Sequence, residues 1–192
     1  VLDQLLYFLQ KLHLNKDGKS DYKHTVIHGP PGTGKTEIAK IIGRMYSKIG
    51  ILSKNHFIKV TRQDLVAGYL GQTAIKTAKV IEEAEGGVLF IDEAYSLASE
   101  EKEDSFSKEC LDTICEALSN YKNDLMVIIA GYENELNNTF FRVNKGLQSR
   151  FIWKFTMEPY NATELYKIFE LIVKTSEWEL SDTEKITGKW FQ

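Results

Sequence analysis

The stretch "HTVIHGPPGTGKTEIAKIIGRMYSKIG" (24–50) constrains the fold more tightly than any other part of this chain. The run "HTVIHG" reads as a short strand entering a glycine-rich turn, and "KTEIAKIIGRMYSKIG" places apolar residues at helical spacing directly after it. The turn is Gly29-Pro30-Pro31-Gly32-Thr33-Gly34-Lys35-Thr36, which fits G-x-x-x-x-G-K-[ST]. Its glycines let backbone N–H groups approach and wrap phosphate oxygens, and the following helix N-terminus adds a favourable field. The Lys35 ammonium is then placed for β- and γ-phosphates and the Thr36 hydroxyl for a Mg²⁺ ligand. A strand on one side and a helix on the other make this a nucleotide-binding pattern rather than a chance turn.

Further strands and helices alternate along the chain. "HFIKVT" reads as a strand, a helix is predicted over 73–84, and "EGG" ends it. "VLFID" and "LMVIIAG" are continuous apolar runs, the mark of strands buried on both faces of a parallel sheet. A helix is predicted over 106–121 between them, and "RFIWKFTM" reads as a fifth strand. This order implies an α/β domain with a mostly parallel sheet and crossover helices. Pro159 closes that unit, giving a core over 1–159 and a helical segment over 160–192 that opens with "NATELYKIFELIVKT".

Composition narrows the function classes. A net charge of −3 and a pI near 5.9 argue against a nucleic-acid binder. No apolar run approaches membrane-spanning length. Cys110 and Cys115 lie five apart in one predicted helix, off a common face, and read as buried thiols of a reducing cytoplasm. His13, His24, His28 and His56 have no partners at metal-ligand spacing. The chain opens on an apolar helical pattern without an initiator Met and reads as a segment of something longer.

Two carboxylates complement the glycine turn. Asp92, at the end of a buried strand, suits Mg²⁺, and Glu93 beside it suits a base that orients and deprotonates a water. Hydrolysis of a phosphoanhydride also needs positive charge on the transferring group, which an arginine from the same or a neighbouring chain supplies. Against twenty lysines there are four candidates: Arg44, Arg62, Arg142 and Arg150. Arg150 in "GLQSRF" precedes the last strand, where a loop can present it at a subunit edge; Arg142 is second, and a surface ion pair remains the alternative.

The stretch "DLVAGYLGQTAIKT" (64–77) sets Tyr69 and Leu70 between two glycines, Gly68 and Gly71, which disfavour a strand or a helix interior. Such an apolar pair either anchors the loop to its own domain or meets something else.

In their order and spacing, "GPPGTGKT", "VLFIDEAYSL" and "LQSRF" resemble an AAA+ ATPase. More narrowly, "KVTRQDLVAGYLGQTAIKT", "GGVLFIDEAYSL" and "DLMVIIAGY" resemble the CbbX/CfxQ branch, which includes red-type Rubisco activases and SpoVK-like proteins. The resemblance covers about 24–160. It implies a P-loop AAA+ core with a five-stranded sheet ordered 5-1-4-3-2 and the start of a helical lid. It also implies ATP and Mg²⁺ as cofactors and a ring homo-oligomer, usually a hexamer. Nucleotide sites would lie at subunit interfaces, and Arg150 would act on the neighbour's ATP. Tyr69 and Leu70 fall at the first pore loop, which grips a client polypeptide. The acidic loop 100–104 falls near a second pore loop but reads as a solvated surface.

The chain departs from the family pattern in three places. Tyr132 in "AGY" stands where many members carry a polar sensor. No arginine follows Arg150, so the sensor arginine of the lid is absent from this segment, and the lid ends early at Gln192. Residues ahead of the first helix, which often contact adenine in the family, are expected to lie outside this segment. The function implied is ATP-driven protein remodelling. The rivals are a nucleic-acid motor or clamp-loader relative, which net acidity and Tyr69 oppose, and a nucleotide-gated scaffold, which Glu93 and Arg150 oppose.

Overall fold

The computed structural model describes residues 1–10, 21–69, 71–98 and 105–178. They fall in two compact units, Val1–Met157 and Glu158–Gln192.

The first unit is built on five parallel strands: β1 (Thr25–His28), β2 (Phe57–Val60), β3 (Val88–Ile91), β4 (Met126–Gly131) and β5 (Trp153–Thr156). Their spatial order is β2-β3-β4-β1-β5, the order that the AAA+ resemblance implied, written from the other edge. The central strands β1, β3 and β4 are buried along their whole length, which is why β3 and β4 are apolar without alternation, while β1 buries Thr25 and His28 beside Val26 and Ile27. At the edge, β5 alternates half-buried and exposed residues.

Helices cover both faces, and two apolar clusters result. On one face, Phe8 of α1 (Leu2–Leu9) and Ala39, Ile42 and Tyr46 of α2 (Lys35–Lys48) pack against Ile27, Phe90 and Ile128. On the other, Ile81 of α4 (Thr73–Ala84) and Leu111, Ile114 and Leu118 of α5 (Ser105–Asn120) pack against Val26, Leu89, Val127 and Ile129. Phe140 and Phe141 of α7 (Phe140–Val143) and Phe151 complete that cluster, their rings meeting edge to face at 5.2–6.0 Å. Cys110 and Cys115 are free and buried in α5.

His24 joins α5 to the sheet. It is fully buried, with Nε2 3.1 Å from the Leu118 carbonyl and Nδ1 accepting from the Val127 N–H at 3.1 Å. Burial pushes its imidazole far below the ordinary value, to about 3.

Short elements that periodicity does not predict connect this frame: α3 (Arg62–Leu65), a 3-10 turn (Ala94–Leu97), α6 (Glu133–Asn138) and α8 (Lys145–Gln148). Helix α3 carries a local signal nonetheless. Thr61 and Asp64 form a capping box, with Asp64 Oδ2 accepting from the Thr61 N–H at 2.8 Å.

In the second unit, α9 (Ala162–Thr175) starts at a capping box in which Asn161 Oδ1 accepts from the Glu164 N–H at 3.0 Å and Glu164 accepts from the Asn161 N–H at 2.9 Å. No helix among the described residues is long and apolar enough to cross a membrane.

Candidate nucleotide-binding site

The strand order reverses between β1 and β4, and at the carboxyl ends of these strands an open parallel sheet leaves a crevice. The loop that leaves β1 is fastened there on both sides. The Met157 N–H donates to the His28 carbonyl at 2.8 Å, and the Gly29 N–H donates to the Gly131 carbonyl at 3.3 Å. Gly29 holds φ +149°, and a Cβ on it would meet the Met157 carbonyl oxygen at 2.7 Å, so only glycine fits. Gly32 and Gly34 follow at φ +78° and +82°. Gly34 is also the residue before α2, whose first N–H groups receive no side-chain cap.

A cleft of about 280 Å³ opens beside this loop. Gly29, Pro31, Gly32, Gly34, Lys35 and Thr36 form one side, Asp92, Glu93 and Tyr95 another, and Gly131 and Tyr132 a third. Pro30 and Thr33 do not line it; the Thr33 hydroxyl donates to the Pro30 carbonyl at 2.8 Å and braces the loop from within. The Lys35 ammonium donates to the carbonyls of Gly29 at 2.8 Å and Pro30 at 2.7 Å. Burial lowers its pKa from the ordinary lysine value, while Asp92 and Glu93 oppose that shift.

Asp92 and Glu93 leave β3 where the backbone turns sharply. The Asp92 N–H continues the ladder, donating to the Val60 carbonyl at 3.0 Å. Asp92 Oδ2 pairs with Lys59 Nζ on β2 at 2.7 Å, and Asp92 Oδ1 accepts from the Glu93 N–H at 3.2 Å. Glu93 then adopts a left-handed conformation (φ +49°, ψ +46°) that aims an exposed carboxylate into the cleft region. A non-glycine residue there is strained, and such strain collects at functional sites. The Tyr95 and Tyr132 rings lie 6.1 Å apart. Gly131 makes room for Tyr95, since a Cβ on it would fall 2.9 Å from that ring. Burial, then the Glu93 carboxylate, raises the Tyr95 phenol above its ordinary pKa.

The remaining predicted residues lie elsewhere. Tyr69 is 75% exposed in the turn after α3 and does not line the cleft, and Leu70 and the acidic loop 100–104 lie outside the described residues. Arg150 also stands off the cleft. Its Nε donates to Ser119 Oγ at 2.8 Å, its Nη1 to the Gly146 carbonyl at 2.7 Å, and its guanidinium lies 5.8 Å from the Tyr22 ring centroid. Arg142 sits on α7. Arg62 donates to the Ser96 and Leu97 carbonyls at 3.0 and 2.9 Å and braces the 3-10 turn behind Glu93.

Sequence reasoning passed over Lys59, Tyr95 and Gly131. A lysine inside the apolar run "FIKV" is the only sequence mark of the first, and the pairing of β2 with β3 is what brings it to Asp92.

A glycine loop at a helix N-terminus, set at the switch point of a parallel sheet and faced by adjoining carboxylates, defines a P-loop nucleotide-binding domain. The profile of the ATPase family associated with various cellular activities (AAA) matches residues 25–154, and the chain belongs to that family. It is 40% identical over 184 residues to a putative cfxQ-like protein of Acanthamoeba polyphaga mimivirus, covering 96% of this chain and 45% of the relative. It is 41% identical over 158 residues to stage V sporulation protein K of Bacillus subtilis, covering 82% and 48%. These matches agree with the CfxQ-like and SpoVK-like resemblance, and the chain spans a little under half the length of each of these two relatives. The crystal structure of the FIGL-1 AAA domain in complex with ADP shares the fold at a TM-score of 0.62 and 20% identity, covering 89% of this chain and 55% of that one.

Proposed function

We propose that this chain is the ATPase core of a CfxQ-type remodelling motor, which works as a cytoplasmic ring, a hexamer in the whole protein. It couples ATP hydrolysis to pulling on a client polypeptide. The observation that carries this reading is a separation. Lys35, Thr36, Asp92 and Glu93 converge on one cleft, whereas Tyr69 and Arg150 lie outside it, where they can serve a client and a neighbouring subunit.

The cleft suits a nucleotide triphosphate. The conformations of Gly29, Gly32 and Gly34 and the uncapped start of α2 form an anion cradle of backbone N–H groups. Lys35 exchanges its two loop carbonyls for β- and γ-phosphate oxygens. Thr36 and Asp92 are hard oxygen donors of the kind that Mg²⁺ accepts alongside phosphate. When bound, Mg²⁺ offsets charge on the phosphate oxygens. Glu93 orients the attacking water and takes its proton, and Tyr132, which lines the cleft beside Tyr95, is the candidate γ-phosphate sensor. Arg150 stabilises the charge on the neighbour's transferring phosphoryl group once it leaves Ser119 and Gly146. Tyr69 and Leu70 grip the client, because an exposed aromatic ring offers apolar contact that tolerates any sequence.

A site shared between subunits predicts that ATPase activity per subunit rises with protein concentration until assembly is complete. A rate per subunit that stays constant across the assembly range would remove the shared site and the ring that depends on it.

A further inference from the structure

Both carboxylate oxygens of Asp92 are already engaged from within the chain. The Glu93 N–H holds Oδ1, and the Lys59 ammonium holds Oδ2 at 2.7 Å. Lys59 reaches Asp92 from the neighbouring strand, where its register partner is Phe90, and its Nζ lies 5.9 Å from the Phe90 ring centroid. The charges that line the cleft and their ion-pair partners balance: Lys35, Lys40 and Lys59 against Glu37, Asp92 and Glu93, with Lys40 Nζ on Glu37 at 2.7 Å and Lys59 Nζ on Asp92. A free dication therefore meets little net negative potential there, unlike one that arrives with a polyphosphate.

We infer that Lys59 is a positioning residue that competes with the divalent cation for Asp92 and so raises the Mg²⁺ concentration that nucleotide binding requires. The inference rests on the reading above that Asp92 holds the metal. The lysine side chain is 46% exposed and Asp92 24%, so the competition is modest. It keeps Asp92 oriented, and it gives way when phosphate oxygens help to ligate the cation.

The test is the Mg²⁺ concentration that half-saturates binding of a fluorescent ATP analogue, titrated up from excess EDTA. Lys59→Gln and Lys59→Met should lower it about two- to fivefold, the range expected for losing a partly exposed ion pair. Lys59→Arg, which keeps the cation, should stay near wild type. A merely structural lysine would not lower the Mg²⁺ requirement, and two neutral variants of different shape keep the test decisive if one folds poorly. Half-saturation unchanged or raised in both, with Mg²⁺ dependence lost in Asp92→Asn, overturns the role of Lys59 and leaves the metal site standing. Wild-type Mg²⁺ dependence in Asp92→Asn removes the metal assignment itself, and the Lys59 inference with it.

Discussion

The Lys35 ammonium donates to the Pro30 carbonyl at 2.7 Å, so the residue assigned to the phosphates is hydrogen-bonded to the loop that would cradle them. Its removal frees two carbonyls on an accessible loop and should change thermal stability little. ATP, however, loses its charge-assisted contacts. Lys35→Ala should weaken ATP binding by at least about ten- to a hundredfold, given roughly 1.5–3 kcal/mol for hydrogen bonds to charged groups. Calorimetry giving wild-type affinity would reject the site assignment.

Replacement of Glu93 by Gln keeps the size of the side chain and removes the base. ATP should bind and persist, with turnover lower by about 10²–10⁴. A rapid-quench measurement of bound ATP would show it, and turnover at the wild-type rate would mean that another group activates water.

Arg150 tests the ring. Arg150→Ala should leave ATP affinity intact and cut hydrolysis by about 10³ or more. Mixed with Glu93→Gln subunits it should recover activity, because some interfaces then pair an intact Arg150 with an intact Glu93. Ser119→Ala is the control, since it removes one of the two hydrogen bonds that hold Arg150 within its own chain, the one to α5. If Arg150 only braces α5, both variants will lower the melting temperature alike, and no mixture will recover activity.

At 75% exposure, Tyr69 has little burial to lose. Tyr69→Ala should keep the melting temperature and basal ATPase within error and abolish client-stimulated turnover, while Tyr69→Phe should keep most of it. A clear fall in melting temperature with remodelling intact would instead make the residue a local anchor.

His24 gives a pH signature. Its folded pKa of about 3 lies well below the ordinary value of 6.5, so the unfolded chain binds the extra proton between these limits. The stability it contributes is complete above about pH 7 and is lost as pH falls from 6.5 towards 3, by up to about 1.4 kcal/mol per pH unit. Urea unfolding at pH 7.5 and 5.5 should show a steeper loss for wild type than for His24→Gln. Equal slopes would refute it.

The sheet was legible because β3 and β4 are buried on both faces and read as continuous apolar runs, while β1 shows Val26 and Ile27 just ahead of the glycine turn. The loop from Gly29 to Thr36 was legible for another reason: its backbone conformations admit few residues. What stayed hidden depends on neighbours distant in sequence. Lys59 reads as an ordinary strand lysine until β2 lies beside β3. Tyr95 and Gly131 become cleft residues only because one makes room for the other. The short helices α6 and α8 span too few residues for a helical period to emerge.

The strand order also sets a timetable for synthesis. β2, β3 and β4 emerge in the order in which they pair, but β1, made before them, finds its first partner only when Ile128 arrives opposite Thr25, and its second when Trp153 does. Long-range parallel pairing of this kind is slow to form. On the ribosome the phosphate loop, hung from β1, must therefore wait without its anchors at Gly131 and Met157 until most of the domain has been translated. Nucleotide then has no finished cradle to template, and the nascent chain needs protection until β4 and β5 enclose its oldest strand.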